Sequence, residues 1–594
     1  MKKRIGQLIS LLMALLFMFT LISCGKTNND KNEDGEKMKI DVYLESIKLD
    51  DDRYSFEFDK EKAKYTVNLP AGRPTVPRVS ATAGDGVEVK VVQAAIPDDQ
   101  TSGKASIYAT DGDGKKTEYT VEFVRDKANG FVLQYDDRFQ FIPEAQGSYT
   151  FSSSDPNVVS VDENGVLTAK MVSNNPVTIT AKGQGVDETL VVDRVEKAHI
   201  NLFFMTGQSN GQGCYDSSNY GKDVANLVRY DEQLKLVEKI GQMGRVYSYD
   251  VHPVQMNGLV LTQKGKMYDM EQYAKQGHQA ALGKTFYELS GEKVVFLQSA
   301  YSGAPIESWL DANRHEEAGR YSGTNFYQTT KAGYDKLIGI LSTNYEIVYV
   351  ANFWCQGETA MTGVYDKALE DYAFKGDDEY DSTRLMTDET YYNYFMMLHN
   401  DMKEDFNLQY NGIMTVKTRG ASNSTTLVPI ISAQFALANR NSDIYIATRK
   451  FAEIARTYND YDKTSEGYGF MGTDNLHYNQ IGYNYHGKEA ATNAFYAIFS
   501  NIQDEKQSVE IIGSDGISRL TSRDSLDIKV GGQMRVAALC APYYSNEIIE
   551  WTSDKEDVVT VNEFGVLTGV SAGSAVITAT NENGEKQTIK VWVS

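Results

Sequence analysis

The sequence predicts a multidomain protein in which a central α/β domain with a parallel sheet lies between β-sandwich modules. With 594 residues, the chain is long enough for about three to five domains of ordinary size. Both ends alternate apolar and polar residues, which is the pattern of antiparallel strands. Residues 199–501 instead alternate short apolar runs with longer helical stretches, as in a parallel sheet that is covered by helices.

The first 37 residues are predicted to be a targeting segment and a linker. Residues 2–4 are basic and residues 8–22 form an apolar run too short for a membrane span, which is typical of a signal peptide. The run ends in Leu-Ile-Ser-Cys-Gly, which resembles a bacterial lipoprotein cleavage box. Lipidation of Cys24 would then anchor the protein to the membrane of the bacterial cell envelope, with surface exposure expected. Residues 24–37 are polar and predict a flexible spacer.

Composition excludes several classes of function. The net charge is −22 and no basic run follows the first four residues, so a nucleic-acid partner is not expected. Beyond Cys24, Cys214, Cys355 and Cys540 form neither a disulfide framework nor a zinc set, and whether Cys214 and Cys355 pair stays open. No metal or other cofactor is expected, since neither HExxH nor CxxC occurs.

The segment after the linker resembles the cadherin-like sandwich modules of bacterial surface proteins. Residues 111–114 read Asp-Gly-Asp-Gly, and Glu122 lies at the twelfth position of a calcium-loop pattern. Lys115 and Lys116, however, take positions where that loop needs a ligand and a glycine. A hairpin turn is therefore predicted here.

An internal repeat predicts two related modules. Residues 158–168 (VVSVDENGVLT) recur as residues 558–568 (VVTVNEFGVLT), with eight of eleven positions identical. Both copies follow a Ser-Asp turn and precede another alternating strand. They resemble bacterial immunoglobulin-like (Ig-like) repeats and are expected to be spacers or adhesive modules. They should fold separately, with contacts no larger than typical inter-domain surfaces.

The central region predicts the secondary structure that would position an active site. Its apolar runs at residues 293–297, 347–353 and 426–432 are expected to be strands, and residues 279–289 and 391–406 to be helices. Residues 216–277 and 362–388, rich in Tyr and Asp, are expected to be long insertions between these elements.

The central feature of the chain is residues 206–211, which read Thr-Gly-Gln-Ser-Asn-Gly after the apolar run at residues 200–205. A tight turn after a buried strand places the next side chain at the carboxyl end of the sheet, where open α/β sheets bind ligands. Ser209 is therefore a candidate nucleophile, with backbone N–H groups nearby for an anion.

Three later segments supply partners for this serine. Residues 298–309 contain a Ser-Gly-Ala-Pro turn after a strand, and residues 353–359 offer the amide of Gln356 and the carboxylate of Glu358. Asp474 and His477 lie three residues apart just before a helix. In that arrangement Asp474 would orient the imidazole while His477 takes the serine proton.

These four segments resemble the sequence blocks of the SGNH hydrolase superfamily, in particular the sialate O-acetylesterase and acetylxylan esterase branch. The resemblance covers residues 199–501 and keeps the family order of blocks. It implies a three-layer, flavodoxin-like α/β fold. It also implies an active site in which Ser209 is the nucleophile, His477 the base and Asp474 the acid that orients the base. The oxyanion hole would consist of Ser209, Gly303 and Gln356, with Gln208, Asn210 and Glu358 as supporting residues.

Departures and alternatives remain. Cys355 stands where the family usually has His, and Ser302 where it usually has Gly. Glu358 is an alternative acid partner for His477. Residues 207–211 also match G-x-S-x-G, but an α/β-hydrolase brings its nucleophile after several strands and its acid and histidine from separate loops, so that fold is disfavoured. The other six histidines are expected to be structural or on the surface.

The sequence thus predicts a surface-anchored carbohydrate esterase that removes O-acetyl groups from a glycan, sialate or plant polysaccharide. The rival hypothesis is a non-catalytic glycan-binding or adhesive lipoprotein. The predicted order is a lipoprotein signal peptide (residues 1–23), a linker (24–37), a cadherin-like β-sandwich (38–126), an Ig-like domain (127–197), an SGNH esterase domain (198–503) and a second Ig-like domain (507–594).

Overall fold

The computed structural model describes residues 40–594 with several gaps. The residues left out are 184, 186, 215–232, 242, 253–254, 257–258, 261–262, 274, 320–323, 360–385, 417–428, 451–476, 500–506, 517 and 546. The predicted signal peptide, the linker with Cys24, and Asp474 therefore lie outside the described residues. In the part of the chain that is described, no helix is both long and apolar enough to cross a membrane.

The amino-terminal region is built of β-strands, as the alternating pattern predicts. In the strand Lys64–Gly72, Tyr65, Val67 and Leu69 are buried while the residues between them are exposed. This strand pairs in parallel with Lys116–Gln134, which lies in a sheet that also contains Ser102–Thr110, Glu88–Val92 and Arg194–Glu196. A separate antiparallel pair consists of Leu44–Leu49 and Val79–Ala83.

Residues 111–114 form the predicted hairpin turn. The N–H of Asp111 donates to the carbonyl of Lys115 (3.0 Å), and the Asp111 side chain accepts from the backbone N–H groups of Asp113 and Lys115. The turn joins Ser102–Thr110 to Lys116–Gln134. The latter strand continues past residue 126, the predicted module boundary, and joins both predicted modules in one sheet.

The internal repeat appears as two copies of the same small sheet. In the first copy Val166–Ala169 lies between Arg138–Gln140 and Val159–Val161, and in the second Val566–Gly569 lies between Gln533–Arg535 and Val559–Val561. Further strands of the first copy are Thr150–Ser153, Val177–Lys182 and Asp187–Val192. Those of the second are Ser508–Ile512, Arg519–Leu520, Ser525–Ile528, Ala537–Ala541, Ile549–Ser553, Gly573–Asn581 and Lys586–Val593.

A seven-stranded sheet forms the centre of the chain. In chain order its strands are β1 (Ala198–Gly207), β2 (Val246–Asp250), β3 (Met267–Asp269), β4 (Lys293–Gln298), β5 (Tyr345–Cys355), β6 (Tyr410–Met414) and β7 (Ile444–Thr448). Their order across the sheet is β3-β2-β4-β1-β5-β6-β7, and all neighbours are parallel except β2 and β3. A two-stranded sheet of Gln255–Met256 and Leu259–Val260 lies apart from it.

Helices cover this sheet on both faces. They are α1 (Ser209–Gln212), α2 (Gln279–Ser290), α3 (Phe326–Leu341), α4 (Asp388–Phe406), α5 (Pro429–Arg440) and α6 (Gln480–Phe499), with a 3₁₀ turn at Ile306–Trp309. Because successive strand residues point to opposite faces, Leu202 and Phe204 of β1 pack with α3, α4 and α5, whereas Phe203 and Met205 pack with α2 and α6. Two large cores therefore hold the sheet.

Two expectations for the central region were wrong. The predicted insertion at residues 216–277 contributes strand β2 to the sheet. Residues 426–432 were expected to be a strand, but their described part, from Pro429, begins helix α5. This helix is buried on all sides, so its apolar residues show no helical period, and a short buried run cannot be told from a strand by periodicity alone.

The amino-terminal modules contact the central sheet at the amino ends of its strands, opposite the end where Ser209 lies. Asp137 accepts from Arg245 (2.6 Å), just before β2, and from Lys293 (2.7 Å), the first residue of β4. All three side chains are at most 2 % exposed. The two cations hold the pKa of the Asp137 carboxyl well below its usual range against the opposing effect of burial.

The carboxyl-terminal module shares a core with the central region. Ile512, Ala537 and Leu539 belong to the same buried cluster as helix α5. Alternation within a strand predicts which residues are buried but not what covers them, so the sequence pattern gives no sign of this shared core.

Replacing Asp137 with Asn should lower the free energy of unfolding by about 3–5 kcal/mol at pH 7, since two buried cations lose their anion. The folded-state pKa of Asp137 is depressed, so its contribution is present in full above the unfolded-state pKa of about 4. It is lost progressively as pH falls from there toward the folded-state pKa. Urea unfolding at pH 7 and pH 3 measures both effects. The exposed residue Asp187 provides the control, and equal stability of D137N and D187N would contradict the prediction.

Candidate active site

Three of the four predicted segments follow neighbouring parallel strands. Strand β1 lies between β4 and β5, and the chain reaches these neighbours on opposite sides of β1. Such a reversal of strand order opens a crevice at the carboxyl ends of the strands. The segments after β1, β4 and β5 are those that begin near Gly207, Gln298 and Gln356.

A close approach of β1 to β5 fixes the turn before Ser209. Gly207 has φ +109°, and a Cβ at this position would collide with the carbonyl of Cys355. The N–H of Gln208 then donates to the same carbonyl at 2.8 Å. Only glycine fits this backbone, and the chain enters α1 directly at Ser209, which is buried.

The side chain of Gln208 joins the first segment to the third. Its Oε1 accepts from the backbone N–H of Thr359 at 3.0 Å and lies 3.4 Å from the N–H of Gly357. Gly357 has φ +154°, and a Cβ there would lie 2.6 Å from Val416. The predicted supporting residue Gln208 thus holds the loop that carries Gln356 and Glu358.

Asn210 joins the first segment to Glu358 and to the segment of His477. Its Nδ2 donates to Oε1 of Glu358 at 2.8 Å, and its Oδ1 accepts from the N–H of Tyr478 at 3.4 Å and from the hydroxyl of Tyr483 at 3.2 Å. All of these contacts are buried. The residue after Ser209 is therefore bonded to the residue after His477, across 268 positions of sequence.

The second segment packs over the same turn. The N–H of Tyr301 donates to the carbonyl of Gly207 at 3.0 Å, and the N–H of Ser302 donates to Oε1 of Gln212 at 3.1 Å. Gly303 has φ +74° and lies exposed at the tip of this turn, with no described atom within 4 Å of the position a Cβ would take. Ser302 keeps the turn through its backbone N–H.

Gln356 is fully buried and held by several partners. The hydroxyl of Tyr391 lies 2.9 Å from its Oε1 and 3.0 Å from its carbonyl oxygen. Its Nε2 donates to the carbonyl of Ala304 at 3.3 Å, and Nε2 of Gln434 donates to the Gln356 carbonyl at 2.7 Å. The amide oxygen thus faces Tyr391, which directs the amide nitrogen toward the second segment.

The predicted acid partners have different outcomes. Asp474 lies outside the described residues, so its contact with His477 stays a prediction. His477 itself is described and buried beside Tyr478. Glu358 is buried and bonded to Asn210, which agrees with a supporting residue that fixes its own loop, and its alternative assignment as the acid stays open.

Cys355, the last residue of strand β5, is a free thiol. Cys355 is fully buried and burial raises the pKa of its thiol well above the usual value, so this residue packs in the core as a neutral group. Cys540 is also a free thiol, and because Cys355 is free, no disulfide joins it to Cys214.

His278 and His486 are structural, as expected. Both are fully buried, and burial lowers the pKa of His278 to about 3 and that of His486 well below its usual value. Their rings stack with centroids 5.9 Å apart. Neither is a suitable proton carrier near neutral pH.

A chain of buried hydrogen bonds runs from strand β1 to His399. Thr206 lies 2.6 Å from Asn352, Nδ2 of Asn352 donates to Asn411 (2.7 Å), and Nδ2 of Asn411 lies 2.8 Å from Nδ1 of His399. Nε2 of His399 faces the carboxylate of Asp443 at 3.2 Å. This chain fixes β1, β5 and β6 side by side just before Ser209.

Sequence reasoning missed Tyr391, Gln434 and Tyr483. All three lie on helices, and nothing in a helical pattern distinguishes a buried Tyr or Gln that contacts the core from one that binds a loop. The only available signal was their position on helices that follow or precede the motif segments.

Known proteins match parts of this chain. A family model for the bacterial Ig-like domain (group 2) matches residues 519–591, so the carboxyl-terminal module is an Ig-like domain. An A type blood N-acetyl-alpha-D-galactosamine deacetylase of Flavonifractor plautii is 31 % identical over 104 residues, which are 17 % of this chain and 14 % of that protein. A lacto-N-biosidase of Bifidobacterium bifidum is 31 % identical over 83 residues, 14 % of this chain and 7 % of that protein. The chain thus spans a small part of the length of these relatives.

Two solved structures are similar over longer stretches but at low scores. A protein of Arabidopsis thaliana aligns over 51 % of this chain and 99 % of its own length, with 14 % identity and a TM-score of 0.29. A carbohydrate acetylesterase of Xanthomonas citri aligns over 77 % of this chain and 95 % of its own, with 12 % identity and a TM-score of 0.28. Scores this low do not establish a common fold.

Replacing Asn210 with Asp should bring two carboxylates together in a buried site, because Nδ2 of Asn210 contacts Glu358. We expect N210D to be less stable than N210A by roughly 2 kcal/mol or more at pH 7. The gap should shrink toward pH 5, since one carboxyl then takes up a proton. Urea unfolding of both variants measures this gap, and a gap that does not change with pH would show that the two side chains are apart.

Proposed function

We propose that the chain is a serine esterase of the SGNH type that removes O-acetyl groups from carbohydrate. The observation that carries the proposal is the set of buried hydrogen bonds of Asn210, which ties the turn of Ser209 to Glu358 and to the segment of His477. These segments are the ones that the motif resemblance pairs, and they are far apart in sequence.

In the proposed reaction Ser209 attacks the acetyl carbonyl and His477 accepts the serine proton. The oxyanion is stabilised by the backbone N–H groups of Ser209 and Gly303 and by the amide of Gln356. His477 then protonates the departing sugar oxygen, which leaves an acetyl group on Ser209. Water attacks this acyl-enzyme with His477 as base, and acetate leaves. Asp474 orients the imidazole of His477 throughout.

The geometry of the described residues supports the oxyanion assignment of Gln356 in one respect. Its amide oxygen is held by the hydroxyl of Tyr391, so its nitrogen side faces the segment that follows β4. An amide in this orientation donates rather than accepts, as an oxyanion requires. A carbohydrate substrate agrees with the names of the curated relatives, which concern glycans.

The proposal includes attachment to the bacterial cell envelope through a lipid on Cys24. The carboxyl-terminal Ig-like domain agrees with a location outside the cell, since such domains are typical of bacterial surface proteins. The mass of the mature amino terminus tests the lipid directly.

Replacing Ser209 or His477 with Ala should lower kcat for 4-nitrophenyl acetate by about 10³-fold or more, because each removes a member of the nucleophile-base pair. The exposed residue Ser342 offers a matched serine-to-alanine control, and S342A should keep the kcat of the unmodified chain. Retained activity in S209A and H477A would end the assignment. Unfolding curves of all variants would check that the folds are intact.

The acid partner of His477 is tested by comparing Asp474→Asn with Glu358→Gln. We expect D474N to lower kcat sharply with little change in KM, because the amide stabilises the wrong imidazole tautomer. We expect E358Q to have the smaller effect on kcat, since Glu358 acts through Asn210. If E358Q were the more damaging of the two, Glu358 would be the acid instead.

A further inference from the structure

Helix α5 lies between the candidate active site and the carboxyl-terminal Ig-like domain. Residues 429–439 of this helix are all buried, although a helix at the surface of a domain has one exposed side. One side of α5 packs on the central sheet and α4, and the other side is covered by the Ig-like domain.

The contacts between α5 and the Ig-like domain are specific as well as apolar. The hydroxyl of Ser432 donates to the carbonyl of Phe564 at 2.6 Å, and Nδ2 of Asn439 donates to the carbonyl of Ala538 at 2.7 Å. Between these hydrogen bonds, Ala436 packs on the side chains of Phe564 and Val566. The helix is thus fixed along its length by the second domain.

On its other side α5 presents Gln434 to the site. Both hydrogen positions of the Gln434 amide have acceptors, the carbonyl of Gln356 at 2.7 Å and the hydroxyl of Tyr391 at 3.4 Å. Its Oε1 accepts from the N–H of Val416 at 3.3 Å. A buried amide with all its groups satisfied has one orientation, so a shift of α5 would move Gln356 and Tyr391 with it.

Comparison of the two repeat copies shows which residue of the Ig-like domain is specific to the contact with α5. Phe564 corresponds to Asn164 in the first copy, where the side chain is exposed. The two turns are the same, since the N–H of each residue donates to the side chain two positions earlier, Asp162 (2.9 Å) or Asn562 (3.0 Å). The turn therefore does not require an aromatic residue. The ring at position 564 instead fills the contact with α5.

We infer that the carboxyl-terminal Ig-like domain is a positioning element of the active site, which acts through α5 and Gln434 on the orientation of Gln356. This inference rests on the proposed function, in which Gln356 donates to the oxyanion. It makes the domain part of the catalytic unit rather than a spacer, because displacement of an oxyanion donor by a fraction of an ångström weakens its hydrogen bond in the transition state.

The test uses the full chain with Phe564→Asn, which inserts the residue of the first copy and keeps the turn. We expect F564N to lower kcat for 4-nitrophenyl acetate by about tenfold with KM nearly unchanged. Phe564→Leu should recover most of that loss, since it restores apolar contact with Ala436. Trp592→Asn, an aromatic-to-Asn change at an exposed position of the same domain, is the control and should keep the original kcat.

Hydrogen exchange measures the coupling between the Ig-like domain and the site without an activity assay. In F564N the amides of residues 429–440 and 352–359 should exchange faster, whereas those of residues 573–581, in the core of the Ig-like domain, should not change. W592N should change neither the helix nor the loop. Should F564N not fold, Ser432→Ala breaks the same contact from the helix side and is measured in the same way.

A double-mutant cycle with Gln434→Leu tests the route. If the domain acts through Gln434, F564N should lower kcat by less than about twofold in a chain that already carries Q434L. If the kcat losses of F564N and Q434L multiplied in full, the route through Gln434 would be overturned. If F564N changed neither kcat nor exchange, the inference itself would be overturned. An inactive unmodified chain would instead refute the proposed function. Hydrogen exchange at residues 352–359 would then be the measurement that tests whether the Ig-like domain is coupled to this loop.

Discussion

The candidate site depends on how closely strand β1 approaches strand β5 at their carboxyl ends. No Cβ fits between residue 207 and the carbonyl of Cys355, and the next N–H of the chain bonds to that same carbonyl. The chain must therefore leave the sheet at one point and in one direction. Because α1 starts two residues after this contact, the position of Ser209 is set by the pairing of two buried strands rather than by the turn alone.

Around that point the protein uses buried, hydrogen-bonded side-chain amides as connectors. Gln208, Asn210, Gln356 and Gln434 are buried, and each joins two or more segments that are distant in sequence. A buried amide without partners is costly, whereas one with all its partners accepts only one arrangement of its neighbours. Such connectors exchange some stability for a defined geometry, which a site that binds a developing charge needs.

The β-modules are attached to the central sheet in two different ways. At the amino ends of the strands, Asp137 joins two buried cations, and this contact holds the modules away from the site. On the other side, the Ig-like domain packs against α5 through an apolar surface with two backbone acceptors. The first contact joins buried charged groups, whereas the second buries apolar side chains such as those of Ala436 and Phe564.

Local pattern was enough to predict much of this protein. Alternation predicted strands at residues 65–69 and 575–578, and the repeat predicted two related modules. Apolar runs before the motif segments predicted β1, β4 and β5. These features depend on neighbours within a few residues. The residues that form the turn at Ser209 were therefore predictable from the sequence.

Other features were decided by contacts between distant segments. Periodicity gave the wrong state for residues 429–432, because a helix that is covered on every side has no polar face, and it gave no sign of Tyr391 or Gln434 behind Gln356. By itself the sequence determined where the motif turns follow the strands of the sheet. Only the tertiary structure decided which helices hold them, because a buried hydrogen bond between segments leaves no periodic trace in either one.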